Sequence, residues 1–184
     1  MKRLLIIVAS LLLAAGSINA QEYKYEARLG WTPGDILTFF TIIGEDPSGE
    51  TSWGPLKTVG IFSADFDVKL KPWLTVGGKA NYRHSWRDQT RYLEEGVING
   101  IDRTEIFSVM PTVKFTSMYY DTVFRVYAAV GLGPGVIRTE DNTKYYTAFQ
   151  FTPGMAVGNK ISWYLELGLG NAWCGFMTGL GWRF

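Results

Sequence analysis

The residues whose chemistry this chain could use are few and thinly spread. The single histidine, His84, is followed by Ser85, and Glu94 and Glu95 lie farther along. An imidazole base, a hydroxyl nucleophile and an orienting carboxylate are the parts of a hydrolase triad, but the base must reach the nucleophile. Neighbouring residues of a strand point to opposite faces, so His84 and Ser85 diverge if this stretch is extended. His84 is better placed as an interface residue beside Trp86. Asp65 and Asp67 share one strand face, as a carboxylate pair would, yet Arg28, Lys79 and Arg83 on adjoining stretches supply counter-charges. A salt-bridge network accounts for them without catalysis or metal. Glu45, Asp46 and Glu50 would attract a divalent cation only weakly, as solvated acids of a polar segment. Cys174 has no partner for an internal disulfide, and behaves as a small apolar residue on the lipid face. The run Gly131-Leu132-Gly133-Pro134-Gly135 lacks the helix and lysine of a phosphate loop. No catalytic, cofactor-binding or metal-binding residue is therefore expected.

The elements that must carry these residues begin after an export signal. Lys2 and Arg3 precede an apolar stretch from Leu4 to Ala15, and Gly16-Ser17-Ile18-Asn19-Ala20 closes it with mostly small residues. That is the layout of a cleaved signal peptide, residues 1–20, and the stretch is short for an anchor helix. Residues 21–184 are then one domain. Loss of Lys2 and Arg3 takes the formal charge from +1 to about −1, which argues against a nucleic-acid partner. No later run of about 18 apolar residues exists to form a membrane helix.

Beyond residue 20 the chain alternates apolar and polar residues with period two. Eight stretches show it, at about 23–31, 57–70, 73–86, 104–116, 122–137, 145–158, 161–170 and 173–184. The clearest sets Trp163, Leu165, Leu167 and Leu169 against Tyr164, Glu166, Gly168 and Gly170. The predicted fold is all-β, an eight-stranded antiparallel up-and-down transmembrane β-barrel. Connections at 32–56, 87–103 and 138–144 are expected to be long loops, and those near 71–72, 116–121 and 159–160 short turns. The connection 171–173 is as short as a turn.

Size decides which face is inside. One face carries Arg28, Asp65, Asp67, Lys79, Arg83, Arg125 and Glu166, together with Lys24, Glu26, Lys69, Lys114 and Arg183 and most of the strand glycines. The other is Phe, Leu, Val and Trp, and a cation there would cost roughly 2–4 kcal/mol at mid-bilayer. The charged face is therefore assigned to a plugged lumen, with Arg28, Asp65, Asp67, Lys79, Arg83, Arg125 and Glu166 as its charge network. The interior of an eight-stranded barrel is just wide enough for side chains to fill. Trp73, Trp163, Trp182 and Phe184 are placed in one aromatic belt, and Trp31, Trp86 and Trp173 in the other.

The strand–turn–strand run LKPWLTVGGKANYRHSW, the strand FSVMPTVKF, the segment AAVGLGPG and the closing pair ISWYLELGLG and GFMTGLGWRF resemble the small outer-membrane β-barrel protein family, porin-like and eight-stranded. The likeness covers essentially all of 21–184. It implies an integral protein of the bacterial outer membrane whose partners are the membrane lipids and the barrel-assembly machinery, with Phe184 as the assembly signal. Extracellular ligands would meet the loops 32–56 and 87–103. Fold does not fix function. The expected role is non-enzymatic: surface interaction, adhesion or envelope integrity. The alternatives are a small porin-like transporter of solutes or of a hydrophobic ligand and, more remotely, a lipid A-modifying acyl hydrolase.

Overall fold

The structure, a computed structural model, describes residues 23–34, 51–54, 57–93, 96–117, 123–140 and 142–184. The signal-peptide assignment, the acids Glu45, Asp46 and Glu50, and the pair Glu94 and Glu95 lie outside those residues. The strands are β1 (Tyr25–Thr32), β2 (Thr51–Trp53), β3 (Lys57–Lys71), β4 (Leu74–Leu93), β5 (Gly96–Ser117), β6 (Phe124–Thr139), β7 (Thr143–Gly158), β8 (Ile161–Gly170) and β9 (Gly175–Arg183).

Every strand pairing is antiparallel, and the sheet closes on itself. Each barrel strand pairs with the one before and after it in the chain, and β1 meets β9 along Glu26↔Arg183 to Trp31↔Thr178. Eight strands make the wall. The short β2 is a ninth that pairs only with the far end of β4. Closure removes the free edges that an open sheet would leave to aggregate. It also satisfies the backbone within the wall, as hydrocarbon requires.

Alternation along each strand sorts side chains between the two faces. On β8, Ser162, Tyr164, Glu166 and Gly168 are buried while Ile161 and Trp163 are exposed. One register row, Leu180–Leu29–Ala64–Ala80–Val109, runs across β9, β1, β3, β4 and β5 on the outside. Leu29 is 69% and Leu180 60% exposed, whereas Asp67 and Glu166 are each 1% exposed. Apolar outside and charged inside is the inverse of a soluble barrel, and it is the wall of a transmembrane one. Aromatic rings rim it: Tyr25 stacks on Phe66 and Phe184 with centroids 6.2 and 5.8 Å apart, and Trp73 stacks on Phe115 at 6.1 Å.

Three expectations are corrected. Residues 87–103 are not a loop: β4 and β5 stay paired from Trp86↔Arg103 to Leu93↔Gly96, so only residues 94–95 separate them. Beyond the membrane neither face of a strand needs to be apolar. The alternation that marks strands therefore vanishes there, although the hydrogen-bond ladder continues. Thr51–Trp53, inside the expected loop 32–56, adds a third strand to this projection. The connection expected at 138–144 shortens to 140–142, because Arg138 and Thr143 already pair. Where β3 enters the wall, the ladder shifts between Thr58 and Ile61. Gly60 sits there at φ 90°, in a left-handed conformation that suits a bulge.

Replacing Leu180 with arginine tests the orientation of the wall. In vesicles Leu180→Arg should cost about 2–4 kcal/mol in urea unfolding. A soluble barrel, with Leu180 facing water, would show almost no change.

Candidate functional site

The interior is built around Arg28. Register places Arg28, Asp65 and Lys79 side by side on β1, β3 and β4, so strand pairing alone sets cation, anion and cation in a row. Arg28 Nη2 lies 2.8 Å from Asp65 Oδ2 and 3.4 Å from Asp67 Oδ2. Glu166 on β8, two strands from β1 and opposite β4, accepts hydrogen bonds from Arg28 Nη1 at 2.8 Å and from Lys79 Nζ at 2.7 Å. Lys114 on β5 donates to Asp67. Tyr127 accepts from Arg28 Nη1 at 2.7 Å and donates to Glu166 at 2.9 Å. The Arg28 guanidinium lies between the rings of Tyr127 and Tyr164, 5.2 and 5.0 Å from their centroids.

Three cations, Arg28, Lys79 and Lys114, thus face three anions, Asp65, Asp67 and Glu166, all nearly excluded from solvent. Burying a charge is costly unless it is paired and hydrogen-bonded, and here the pairing is reciprocal across the lumen. The space left among Arg28, Asp65, Lys79, Thr112 and Lys114 is about 10 Å³, room for roughly one water.

The sequence-derived network is therefore divided. Arg28, Asp65, Asp67, Lys79 and Glu166 come together. Arg125 sits toward the end that holds Tyr25 and Phe184 and grips Glu26 through two bonds of 2.9 and 3.2 Å. Arg83 lies four residues farther along β4 than Lys79, paired in register with Ile61 and Ile106 toward the other mouth. That spacing is about 13 Å of strand, and it takes Arg83 out of the central cluster. Lys24 is exposed at the rim rather than enclosed in the lumen.

Trp173, expected in an outer belt, is instead fully buried inside the barrel. It packs in an apolar layer with Ile61, Met110, Ala148, Ala172 and Met177. The short connection after β8 puts it there. Asn171 ties that connection to β7, accepting from Phe149 N at 2.7 Å and donating to Thr147 O at 2.8 Å. Trp173 N then donates to Gln150 Oε1 at 3.2 Å, and Lys79 Nζ lies 5.5 Å from the indole centroid. A Cβ on Gly168 would come within 2.3 Å of the indole, so only glycine lets the ring lie flat against β8. The sequence places Trp173 in a belt and Lys114 on the lumen face, but it does not show the plug that Trp173 forms or the contacts of Tyr127 and Tyr164 with Arg28. The one available signal was the inward glycine at 168, which marks space that a large group fills.

No hydrolase triad forms at His84 and Ser85. Ser85 is buried inside with Oγ donating to Thr104 O at 3.4 Å, while His84 lies outside, 3.6 Å from Glu105 and with its ring 5.5 Å from that of Trp86. Among the described residues no three His, Cys, Asp or Glu side chains gather as metal ligands.

No family model and no curated protein matches the chain. Among solved structures it is similar to the Yersinia pestis outer membrane protein Ail in a phospholipid bilayer nanodisc. That match has 12% identity and a TM-score of 0.42 and covers 89% of this chain and 100% of that one. At that distance the barrel's own closure and faces carry the fold.

Glu166→Gln leaves Arg28 and Lys79 short of a buried anion and should destabilise the barrel by about 3–5 kcal/mol. Lys57→Gln removes the exposed Lys57–Asp88 pair and should change stability by less than about 1 kcal/mol. Urea unfolding of both variants from the same vesicles checks the contrast; equal effects would contradict the cluster's central place.

Proposed function

We propose that the chain is a non-enzymatic, non-conducting barrel of the bacterial outer membrane, whose wall holds the β2–β4–β5 projection outside the bilayer for surface contact, adhesion or envelope integrity. The observation that carries this reading is the closed lumen. Its charged layer is balanced and fills its section of the barrel to within about one water, and the Trp173 layer lies toward the mouth above it. A transport pathway would need a continuous polar passage, and the paired charges and the Trp173 layer both stand against one.

The projection is built for presentation. The β4–β5 ladder continues past Trp86 as far as Leu93↔Gly96, and an Arg87–Asp102 ion pair at 3.1 Å holds the two strands together near their base. Ligands would meet this projection and the neighbouring segment 32–56. Phe184 pairs its backbone reciprocally with Tyr25 at 2.9 and 3.0 Å, at the β1–β9 seam.

Purified protein in planar bilayers should give no reproducible conductance steps. Trp173→Ala should stay silent too, because the ionic layer beneath is intact. Discrete steps from the wild type would overturn the closed-lumen reading, and a mass shift of lipid A dependent on the protein would overturn the non-enzymatic one.

A further inference from the structure

The end of the barrel that holds Tyr25 and Phe184 carries a charge pattern the lumen does not use. Lys24 precedes β1, Lys69 and Lys71 end β3 just before its turn into β4, and Lys160 lies in the β7–β8 turn. Strand order makes these positions neighbours. Lys69 N donates to Lys24 O at 2.8 Å, and Arg183 N donates to Lys160 O at 2.8 Å, with Arg183 next to the β1 seam. The lysines therefore span one arc over the ends of five consecutive strands, β3, β1, β9, β8 and β7.

Lys24, Lys71 and Lys160 are exposed and Lys69 is half-buried, and among the described residues none of the four makes an ion pair. The carboxylate of Glu26, the acidic side chain at this rim among the described residues, is turned to Arg125. At the opposite end two cations meet anions, in the pairs Lys57–Asp88 and Arg87–Asp102.

Depth identifies what the arc meets. Lys24 Nζ lies 5.7 Å from the Tyr25 ring centroid and Lys71 Nζ 5.6 Å from that of Trp73. Tyr25 and Trp73 belong to the aromatic girdle, which sits at the headgroup level of a bilayer. A lysine stem lying along such a ring carries its ammonium to the depth of lipid phosphates. Basic clusters there attract anionic lipids.

We propose that this arc is a binding surface for anionic phospholipid headgroups in the leaflet at the Tyr25–Phe184 end, selecting them over zwitterionic ones. The proposal rests on the membrane-spanning reading. Its occupant is a phosphate-bearing lipid because the surface combines unpaired ammonium groups with rings at interfacial depth.

The test uses the full barrel folded into phosphatidylcholine vesicles in which bromine is carried on either phosphatidylcholine or phosphatidylglycerol chains. Tryptophan quenching is the readout, since Trp73, Trp163 and Trp182 flank the arc. Brominated phosphatidylglycerol should associate about fivefold more strongly, the effect of roughly one lysine near the surface. The preference should fall to parity in the variant Lys24→Gln, Lys69→Gln, Lys71→Gln, Lys160→Gln and in high salt, and the four-arginine counterpart should restore it. A gel mobility that differs between boiled and unboiled samples reports that each variant is folded. Equal quenching by both lipids, or a preference that survives the glutamine variant, overturns the proposal and leaves the membrane reading intact. Absence of quenching by either lipid overturns the membrane reading itself.

Discussion

The need to keep Arg28 solvated by protein governs the interior of this barrel. A guanidinium on the inward face of β1 cannot lose its charge, so the enclosing wall must supply anions and acceptors from every side. Asp65 and Asp67 do so from the adjacent strand, and Glu166 does so from β8, two strands away on the other side. Each acid brought in requires a further cation, and Lys79 and Lys114 meet that need. The result is a neutral cluster whose members come from β1, β3, β4, β5 and β8. Such a cluster ties together strands that are far apart around the wall, where backbone pairing reaches only nearest neighbours.

Two plugs of different chemistry arise from the same geometry. An eight-stranded barrel leaves inside only the width that side chains can fill. At the charged layer, long side chains fill it by reaching toward one another. Toward the mouth, where charges thin out, the indole of Trp173 and the thioethers of Met110 and Met177 take the space instead. The two layers meet where Lys79 lies against the Trp173 ring.

How much of this was legible in the sequence depends on which solvent each face meets. Where one face touches hydrocarbon and the other the lumen, alternation is sharp, and β8 emerges with its observed bounds, Ile161–Gly170. From Arg87 to Arg103 the alternation loses contrast, and a continuous hairpin looks like a loop. Arg28, Asp65, Asp67, Lys79 and Glu166 could be assigned to the lumen from strand parity. The separation of Arg83 and Arg125 from them could not, because height along the barrel depends on register and stagger between strands. Trp173 misled for a related reason: it lies in a connection, where parity is undefined, and an indole suits a belt as well as a plug.

The amino-acid sequence by itself determined that eight amphipathic stretches alternate, that their apolar face must meet hydrocarbon and that their charged face must close on itself. Local periodicity and the cost of placing charge in lipid are enough to require this. Only the tertiary structure decided which charges meet, that Trp173 turns inward, and that four lysines gather on one rim. Those outcomes depend on hydrogen-bond register and on the closure of β1 against β9, which bring together residues that no spacing along the chain relates.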